Sequence, residues 1–127
     1  MTKVKEQKRG EIILYKAKQG PQVEARLEGE TIWLTQAQVS KLFGSERSVI
    51  TKHFKNIFQC GELDEKSNVQ KMHIANSDKP VSFYSLDAII SVGYRVNSKQ
   101  ATQFRIWATR VLREHITKGF TINEKRL

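Results

Sequence analysis

Hydrogen-bond donors and cations are concentrated between residues 45 and 55. Arginine can donate two parallel hydrogen bonds to guanine, hydroxyl groups can reach base edges or phosphates, and lysine neutralises phosphate charge. These residue types in one short segment indicate contact with double-stranded DNA, although the pattern is also typical of a solvated helical face. The predicted contacts are Arg47, Ser48, Thr51 and Lys52 in the groove, Lys55 on phosphate and Ser45 at the start of the helix, with Glu46 as the acidic exception.

Two helices separated by a glycine must position this cluster. Thr35 is a suitable N-cap, and Gln38 three residues later completes a capping box. The first helix is therefore predicted to begin at Gln36. It should end at Gly44, because glycine enters the left-handed backbone region at low cost. Its predicted buried positions are Ala37, Val39, Leu42 and Phe43.

The second helix follows Gly44 directly. Ser45 is predicted to cap it, and Glu46 suits the positive end of its dipole. Its predicted buried face has helical spacing and consists of Val49, Ile50, Phe54, Ile57 and Phe58. Residues 35–58 are thus a predicted helix-turn-helix, which presents the first turns of its second helix to the major groove. Ser40 stands where such motifs usually have alanine, and it fits if its hydroxyl bonds to the backbone.

Charge and composition favour a polyanionic partner. The 127 residues include 22 lysines and arginines against 13 acids, a formal charge of +9, and 39% are hydrophobic, which suits one folded domain. No apolar run is as long as the stretch of about 20 residues that spans a membrane, and the N-terminus lacks the apolar core of a secretory signal. Cys60 is the only cysteine, which fits a reducing compartment. We therefore expect a cytoplasmic protein without membrane contact.

The chain before the helix pair is predicted to form a small antiparallel sheet. Residues 1–10 are polar and cationic without periodicity, so a flexible basic tail is expected there, followed by a single domain over residues 11–127. Strand-like segments lie at 11–16, 23–28 and 31–34, with turns at 18–22 and 29–30. Trp33 is expected to lie between the sheet and the helices; stacking on a nucleobase is the less favoured alternative.

A second hairpin is predicted after the helix pair. The acidic segment 59–68 is expected to lie away from DNA, and residues 69–75 and 81–84 are predicted to pair with each other. A hairpin in this position, within residues 69–84, is typical of the wing of a winged helix-turn-helix. The wing residues that would meet phosphate or a minor groove are Lys71, His73 and Lys79; the alternative is a solvated edge hairpin.

Two further helices are predicted over residues 86–118. Ser85 can cap the first of them, and Gly93 is expected to loosen its end. Asn97 marks the break before a longer helix, which should pack across the domain until Gly119 stops it.

The longer helix has a basic face and a candidate dimer contact. The basic face is interpreted mainly as solubilising, with phosphate contact as the alternative. It consists of Lys99, Arg105, Arg110, Arg113 and Lys118. The part of the helix around Trp107 is the expected contact of a homodimer. Such a dimer would place two recognition helices in successive major grooves about 34 to 36 Å apart.

The sequence lacks the motifs of the common enzyme classes. It has no G-x-S-x-G elbow, no H-E-x-x-H and no P-loop, so neither an enzyme nor a small-molecule substrate is expected. The three histidines and Cys60 do not have the spacing of a zinc site, and no metal or cofactor is expected.

A resemblance to the virulence protein RhuM family is carried by three segments, WLTQAQVSKLF, HFKNIFQCGELDE and SLDAIISVGYRVNSKQATQFRIWATRVLREHITKGF. It extends from about Tyr15 to Leu127. More distantly, the chain is similar to the N-terminal domains of phage antirepressor-like and Bro-type proteins. The resemblance implies a bacterial DNA-binding protein, often associated with mobile elements. Similar proteins continue beyond the segment GFTINEKRL, so this chain is expected to be the N-terminal part of a longer protein.

Together these features predict an α+β domain, mainly helical and winged helix-turn-helix-like, with small antiparallel hairpins. The predicted function is binding of double-stranded DNA, as a transcriptional regulator on a mobile or virulence-associated element. The alternative is a protein-interaction or dimerisation module, or an accessory domain of a larger protein whose activity lies downstream. The predicted DNA-contacting set is Ser45, Arg47, Ser48, Thr51, Lys52, Lys55, Lys71 and Lys79.

Overall fold

The computed structural model describes residues 11–17, 20–74 and 78–118, without the side chains of 116–118. The predicted tail and Gly119 lie outside these residues. The strands are β1 (Glu11–Lys16), β2 (Gln22–Glu28), β3 (Thr31–Thr35), β4 (Val69–Met72) and β5 (Val81–Ser85). The helices are α1 (Gln36–Phe43), α2 (Arg47–Gln59), α3 (Glu65–Asn68), α4 (Leu86–Val96) and α5 (Ser98–Lys118). The fold is therefore α+β and mainly helical, as predicted.

The strands form one five-stranded antiparallel sheet in the order β1-β2-β3-β5-β4. The predicted hairpins are therefore joined, because β5 pairs both with β4 and with β3. The register places Leu34 opposite Tyr84 and Tyr84 opposite Val69. The first strand of the second hairpin ends at Met72, earlier than the predicted residue 75.

The helices cover one face of this sheet. Strand β2 alternates as predicted, with Val23, Ala25 and Leu27 buried in the main hydrophobic core. Ile32 and Leu34 of β3 belong to the same core. Because successive side chains of a strand point to opposite faces, these positions define the helix-covered inner face of the sheet.

Trp33 lies on the outer face, so its predicted position between sheet and helices is wrong. It is buried, but it pairs with Arg26 and Ser85, and its neighbours along β3 are the inner-face residues of the core. Its indole Nε1 donates a hydrogen bond to the carbonyl oxygen of Glu28 at 3.2 Å. The alternation of the strand, rather than the size of the side chain, decides the face.

Side-chain caps start helices α1, α3 and α4. Thr35 accepts a hydrogen bond from the backbone N–H of Gln38, whose side chain bonds back to Thr35, so the predicted capping box is confirmed. Ser85 accepts from the N–H of Ala88 and caps α4 as predicted. Helix α3 was not predicted, although its N-cap Asp64 has the expected chemistry.

Asn97 separates α4 from α5, as predicted. Its side-chain amide donates to the carbonyl oxygen of Phe43 at 3.3 Å, and its side-chain oxygen accepts from the N–H of Gln100 at 3.2 Å. One residue therefore caps α5 and ties the break to the end of α1. Helix α5 then packs over β1, where Tyr15 contacts Phe104 edge-on with ring centroids 5.0 Å apart.

Gly93 does not loosen α4, which continues to Val96. A Cβ atom at Gly93 would lie 2.5 Å from Cζ of Phe43 and 2.8 Å from Cβ of Ala101. Glycine is needed here because three helices approach one another at this position. The predicted loosening is therefore wrong, and the residue serves close packing instead.

In the described part of the chain, no helix has the length and apolar character needed to cross a membrane.

Substitution Gly93→Ala should destabilise the fold by about 1–3 kcal/mol, because the added methyl group overpacks the contact between α1, α4 and α5. The sign of the change in unfolding free energy distinguishes overpacking from helix propensity, since propensity alone would stabilise the variant by about 1 kcal/mol. Urea unfolding monitored by circular dichroism measures the difference. Adding Phe43→Leu, which removes the clashing ring atoms, should cost less in the Gly93→Ala background than in the wild type. A more stable Gly93→Ala variant would contradict the packing role.

Candidate nucleic-acid interface

A tight turn joins α1 to α2. Gly44 has φ 65°, in the left-handed region, as predicted for the residue that ends α1. The carbonyl oxygen of Ser40 accepts hydrogen bonds from the N–H groups of Gly44 and Ser45. The hydroxyl of Ser40 donates to the carbonyl oxygen of Ser45. The expected bond from Ser40 to the backbone is therefore present, and it runs forward into the turn.

Ser45 does not cap α2, so that prediction is wrong. Helix α2 begins at Arg47, its N-cap is Glu46, and no side chain caps it by a hydrogen bond. The backbone of Ser45 is instead held in the turn by Ser40. The turn needs one more residue than the sequence pattern suggested, which moves the start of the helix away from the serine.

The buried face of α2 is narrower than predicted. Ile50, Phe54 and Ile57 are buried and Phe58 is partly buried, but Val49 is 38% exposed. At about 100° per residue, Val49 is rotated by about 80–140° from Ile57, Ile50 and Phe54, so it lies at the edge of their stripe. The same geometry explains why Ala37 of α1, also predicted to be buried, is exposed.

The five predicted groove and phosphate residues of α2 form one exposed band. All of them are exposed, and at about 100° per residue they cover about 140° of the helix circumference. The band consists of Arg47, Ser48, Thr51, Lys52 and Lys55. It contains three cations and two hydroxyl groups and no carboxylate, since Glu46 lies beyond its end. Its chemistry suits an anionic surface that also offers hydrogen-bond acceptors.

Gln36 fastens the first turn of α2 to the start of α1. Its side-chain amide donates to the carbonyl oxygen of Arg47 at 3.2 Å and to the hydroxyl of Thr51. The Thr51 hydroxyl in turn donates to the same carbonyl oxygen at 2.8 Å. The Thr51 hydroxyl therefore donates its hydrogen bond within the protein. Toward a ligand it can act only as an acceptor. Sequence reasoning missed Gln36, whose only local signal is its place after the N-cap.

The hairpin of β4 and β5 lies beside α2. Phe54 stacks on Tyr84 with ring centroids 3.9 Å apart. Lys71 pairs with Ser82, and strand alternation places it on the same inner face as Tyr84. The structure thus brings exposed Lys71 to the side of the sheet that carries α2. His73 is exposed beyond the end of β4.

Lys79 lies in the loop between the two strands of the hairpin, and it is exposed there. Residues 75–77 of the predicted hairpin lie outside the described residues. Of the eight predicted contacts, the structure therefore groups the five on α2 and places Lys71 on their side of the sheet. Ser45 stands half-buried in the preceding turn.

The acidic segment after α2 does not lie wholly apart from this surface. Glu65 of α3 lines an open hollow of about 220 Å³ together with Thr51, Lys55 and Tyr84. Burial raises the pKa of Tyr84 above its ordinary value of 10.0, and the negative charge of Glu65 raises it further. Glu65 therefore lies beside two residues of the exposed band, whereas the whole acidic segment was expected to lie away from DNA.

Glu62 anchors the chain after α2 to α4. Its carboxylate accepts a hydrogen bond from the Ser91 hydroxyl at 2.6 Å and forms an ion pair with Arg95 at 2.5 Å. The Ser91 hydrogen bond, with further contributions from Arg95, lowers the pKa of Glu62 from its ordinary value of 4.5. This contact ties the chain after α2 to α4.

Within the described ranges, no group of three or more histidine, cysteine, aspartate or glutamate side chains is arranged to hold a metal ion.

The fold and the interface define a class: an α+β domain in which two helices meet across a glycine turn and expose a cationic band. The model of the virulence protein RhuM family matches residues 63–127, about half of the chain. The protein therefore belongs to the virulence protein RhuM family. The match covers the hairpin and helices α4 and α5 but not α2. Comparisons with curated proteins and with solved structures found no match.

Substitution Glu62→Gln should remove part of the pH dependence of stability. Because the folded-state pKa of Glu62 is lowered, its contact stabilises the fold above pH 4.5 and loses this contribution as the pH falls through the folded-state pKa. Urea unfolding of wild type and variant should therefore differ at about pH 7 and converge as the pH falls below 4.5. Glu65→Gln, which removes a nearby charge without the Ser91 and Arg95 contacts, is the control. A difference that stays constant across this range would contradict the assignment.

Proposed function

We propose that this protein binds double-stranded DNA through the exposed band of α2, as a transcriptional regulator on a mobile or virulence-associated element. The observation that carries the proposal is the composition of the band, with three cations, two hydroxyl groups and no carboxylate on one helical face. Family membership supports the virulence-associated setting. Such a role would place the protein in the cytoplasm.

The contacts that hold α2 in position support a role in recognising bases in the major groove. A helix can report base identity only if its backbone is held in one position relative to the duplex. The bonds of Gln36 hold the first turn, and the stacking of Phe54 on Tyr84 holds the middle. Within this frame, Arg47, Ser48 and Lys52 are the proposed groove contacts. Lys55 is proposed to contact phosphate, and Thr51 is proposed to accept hydrogen bonds.

The hairpin supports a winged form of the helix-turn-helix. It follows α2 after the short helix α3, and β5 joins it to β3, the strand that leads into α1. A wing in this place would extend the contact along the phosphate backbone. Lys71 and Lys79 are the proposed wing contacts, and Ser45 is proposed to approach phosphate from the turn.

A protein-interaction module is the second candidate function. The observation that favours it is the exposure of Ile106 on α5, which is 56% accessible. Trp107, around which the dimer contact was predicted, is partly buried against Tyr15 with ring centroids 4.9 Å apart. Dimerisation is compatible with DNA binding, because the band on α2 and the surface around Ile106 lie on different helices.

The double variant Arg47→Ala, Lys52→Ala should lose most binding to a mixed-sequence duplex, because it removes two of the three cations of the band. Fluorescence anisotropy over about 50 to 200 mM salt measures the affinity and its salt slope. The matched control is Lys99→Ala, Arg110→Ala, which removes the same charge from α5. Binding that survives the α2 variant but not the α5 variant would move the DNA surface to α5. No binding by the folded wild type at low salt would favour the interaction module.

Single variants should separate base reading from phosphate contact. Arg47→Ala should cost about 1–3 kcal/mol on the preferred site and less on other duplexes, because a bidentate contact to guanine is specific. Lys55→Ala should weaken binding to all duplexes alike and reduce the salt slope by about 1. The preferred site is first selected from a random duplex library, and both variants are then titrated against it and against a scrambled duplex. Equal losses on both duplexes for Arg47→Ala would remove it from base reading.

A further inference from the structure

Among the described residues, strand β1 is an edge of the sheet with an apolar outer side. It pairs there only with β2, so the backbone groups of residues 12–16 that point away from β2 have no strand partner within the described ranges. Ile12 and Leu14 project from its outer face and are 55% and 43% exposed. Edge strands in soluble proteins are usually protected by charge, proline or a covering element, because open edges pair with other chains. Exposed aliphatic side chains in the middle of such a strand mark a contact surface.

The helix side of the same edge is partly apolar. Tyr15, Ile106 and Trp107 line an open hollow of about 280 Å³ between β1 and α5, together with the polar residues Lys16, Gln103 and Arg110. Apolar surface therefore borders the open edge on both sides of the sheet. A chain that pairs with β1 would cover Ile12 and Leu14 from one side and part of this hollow from the other.

We propose that the occupant of this edge is a second copy of the same chain, paired antiparallel through β1. A twofold axis perpendicular to the sheet makes any edge strand complementary to its own copy in its backbone hydrogen bonds. The charge on the strand agrees, because β1 carries one acid and one base, whereas α2 and α5 are cationic. The strand edge itself therefore adds no net charge to a contact between two chains of charge +9.

The side chains fix the register. Residues directly opposite each other in an antiparallel pair project to the same face. Along β1 the residues of one face are all even-numbered or all odd-numbered, so when β1 pairs with its own copy the numbers of two opposite residues must have an even sum. An axis at Ile13 places Ile12 of each copy opposite Leu14 of the other, which joins all four exposed aliphatic side chains. An axis at Leu14 would place Ile12 opposite Lys16 instead. The first register is the one that removes the apolar surface from water.

The size of the contact predicts its strength. A six-residue strand edge covers less than the about 800 Å² per partner of a standard interface, so the contact must extend to Ile106 and remain modest in affinity. The dimer should therefore dissociate in about the micromolar range. The inference does not depend on DNA binding and is tested without DNA.

Sedimentation equilibrium over about 1 to 200 µM protein should show a rise from monomer to dimer mass. Leu14→Lys should be monomeric throughout, because it places two ammonium groups beside Ile12 of the opposing copy. Gln70→Lys, on the exposed outer face of the opposite edge strand β4, is the matched control and should dimerise like the wild type. Both variants change exposed residues, and circular dichroism confirms their folding. A monomeric wild type, or a dimer that survives Leu14→Lys but not Ile106→Lys, would overturn the proposal.

Cysteine cross-linking tests the register directly. In a Cys60→Ser background, Ile12→Cys and Leu14→Cys chains should cross-link when mixed, because directly opposite Cβ atoms lie about 4.5–5.5 Å apart. Neither variant should cross-link with itself, because the diagonal separation of about 7–8 Å is too long for a disulfide. Self-linking of the Leu14→Cys chain would overturn the assigned register.

Discussion

The pairing of β3 with β5 is the constraint on which the rest of the structure depends. It joins segments far apart in the sequence, with Leu34 opposite Tyr84. The two strands run antiparallel and lead into α1 and α4 at opposite ends, so both helices fold over the same face. A shift by one residue would turn Tyr84 to the outer face and remove its stacking on Phe54. The position of α2, and with it the candidate interface, therefore follows from this register.

Local signals in the sequence predicted three element boundaries correctly, although the equally local cap predicted at Ser45 is absent. The capping box at Thr35, the glycine after α1 and the cap at Ser85 depend on neighbouring residues only, and all three are present in the structure. Positions that depend on distant neighbours were predicted less well. The close packing of Gly93 is decided by two other helices that the local pattern does not identify.

In the candidate interface, too, the features set by local spacing were predicted and the contacts between elements were not. Helical periodicity was enough to place the five donors of α2 on one exposed face, because this needs only the spacing of about 100° per residue. The bond from Gln36 to the Thr51 hydroxyl and the approach of Glu65 could not be predicted, since each requires the relative position of two elements. The contacts of Thr51 also change what the band offers a ligand. Its hydroxyl can only accept hydrogen bonds, whereas Arg47, Lys52 and Lys55 can still donate them.

The proposed dimer and the proposed DNA surface lie at opposite ends of the sheet, and their geometry can be compared. Pairing through β1 would place the two copies of β5, which carry α2, seven strand spacings apart, or about 34 Å at about 4.8 Å each. This equals the separation of successive major grooves. However, a twist of about 20–25° per strand accumulates to about 140–175° over the same path. This twist turns the two bands away from each other, so the matching distance does not place them in adjacent grooves of one straight duplex. An edge-paired dimer of this fold is therefore suited to hold two separate duplex segments rather than two half-sites of one straight duplex.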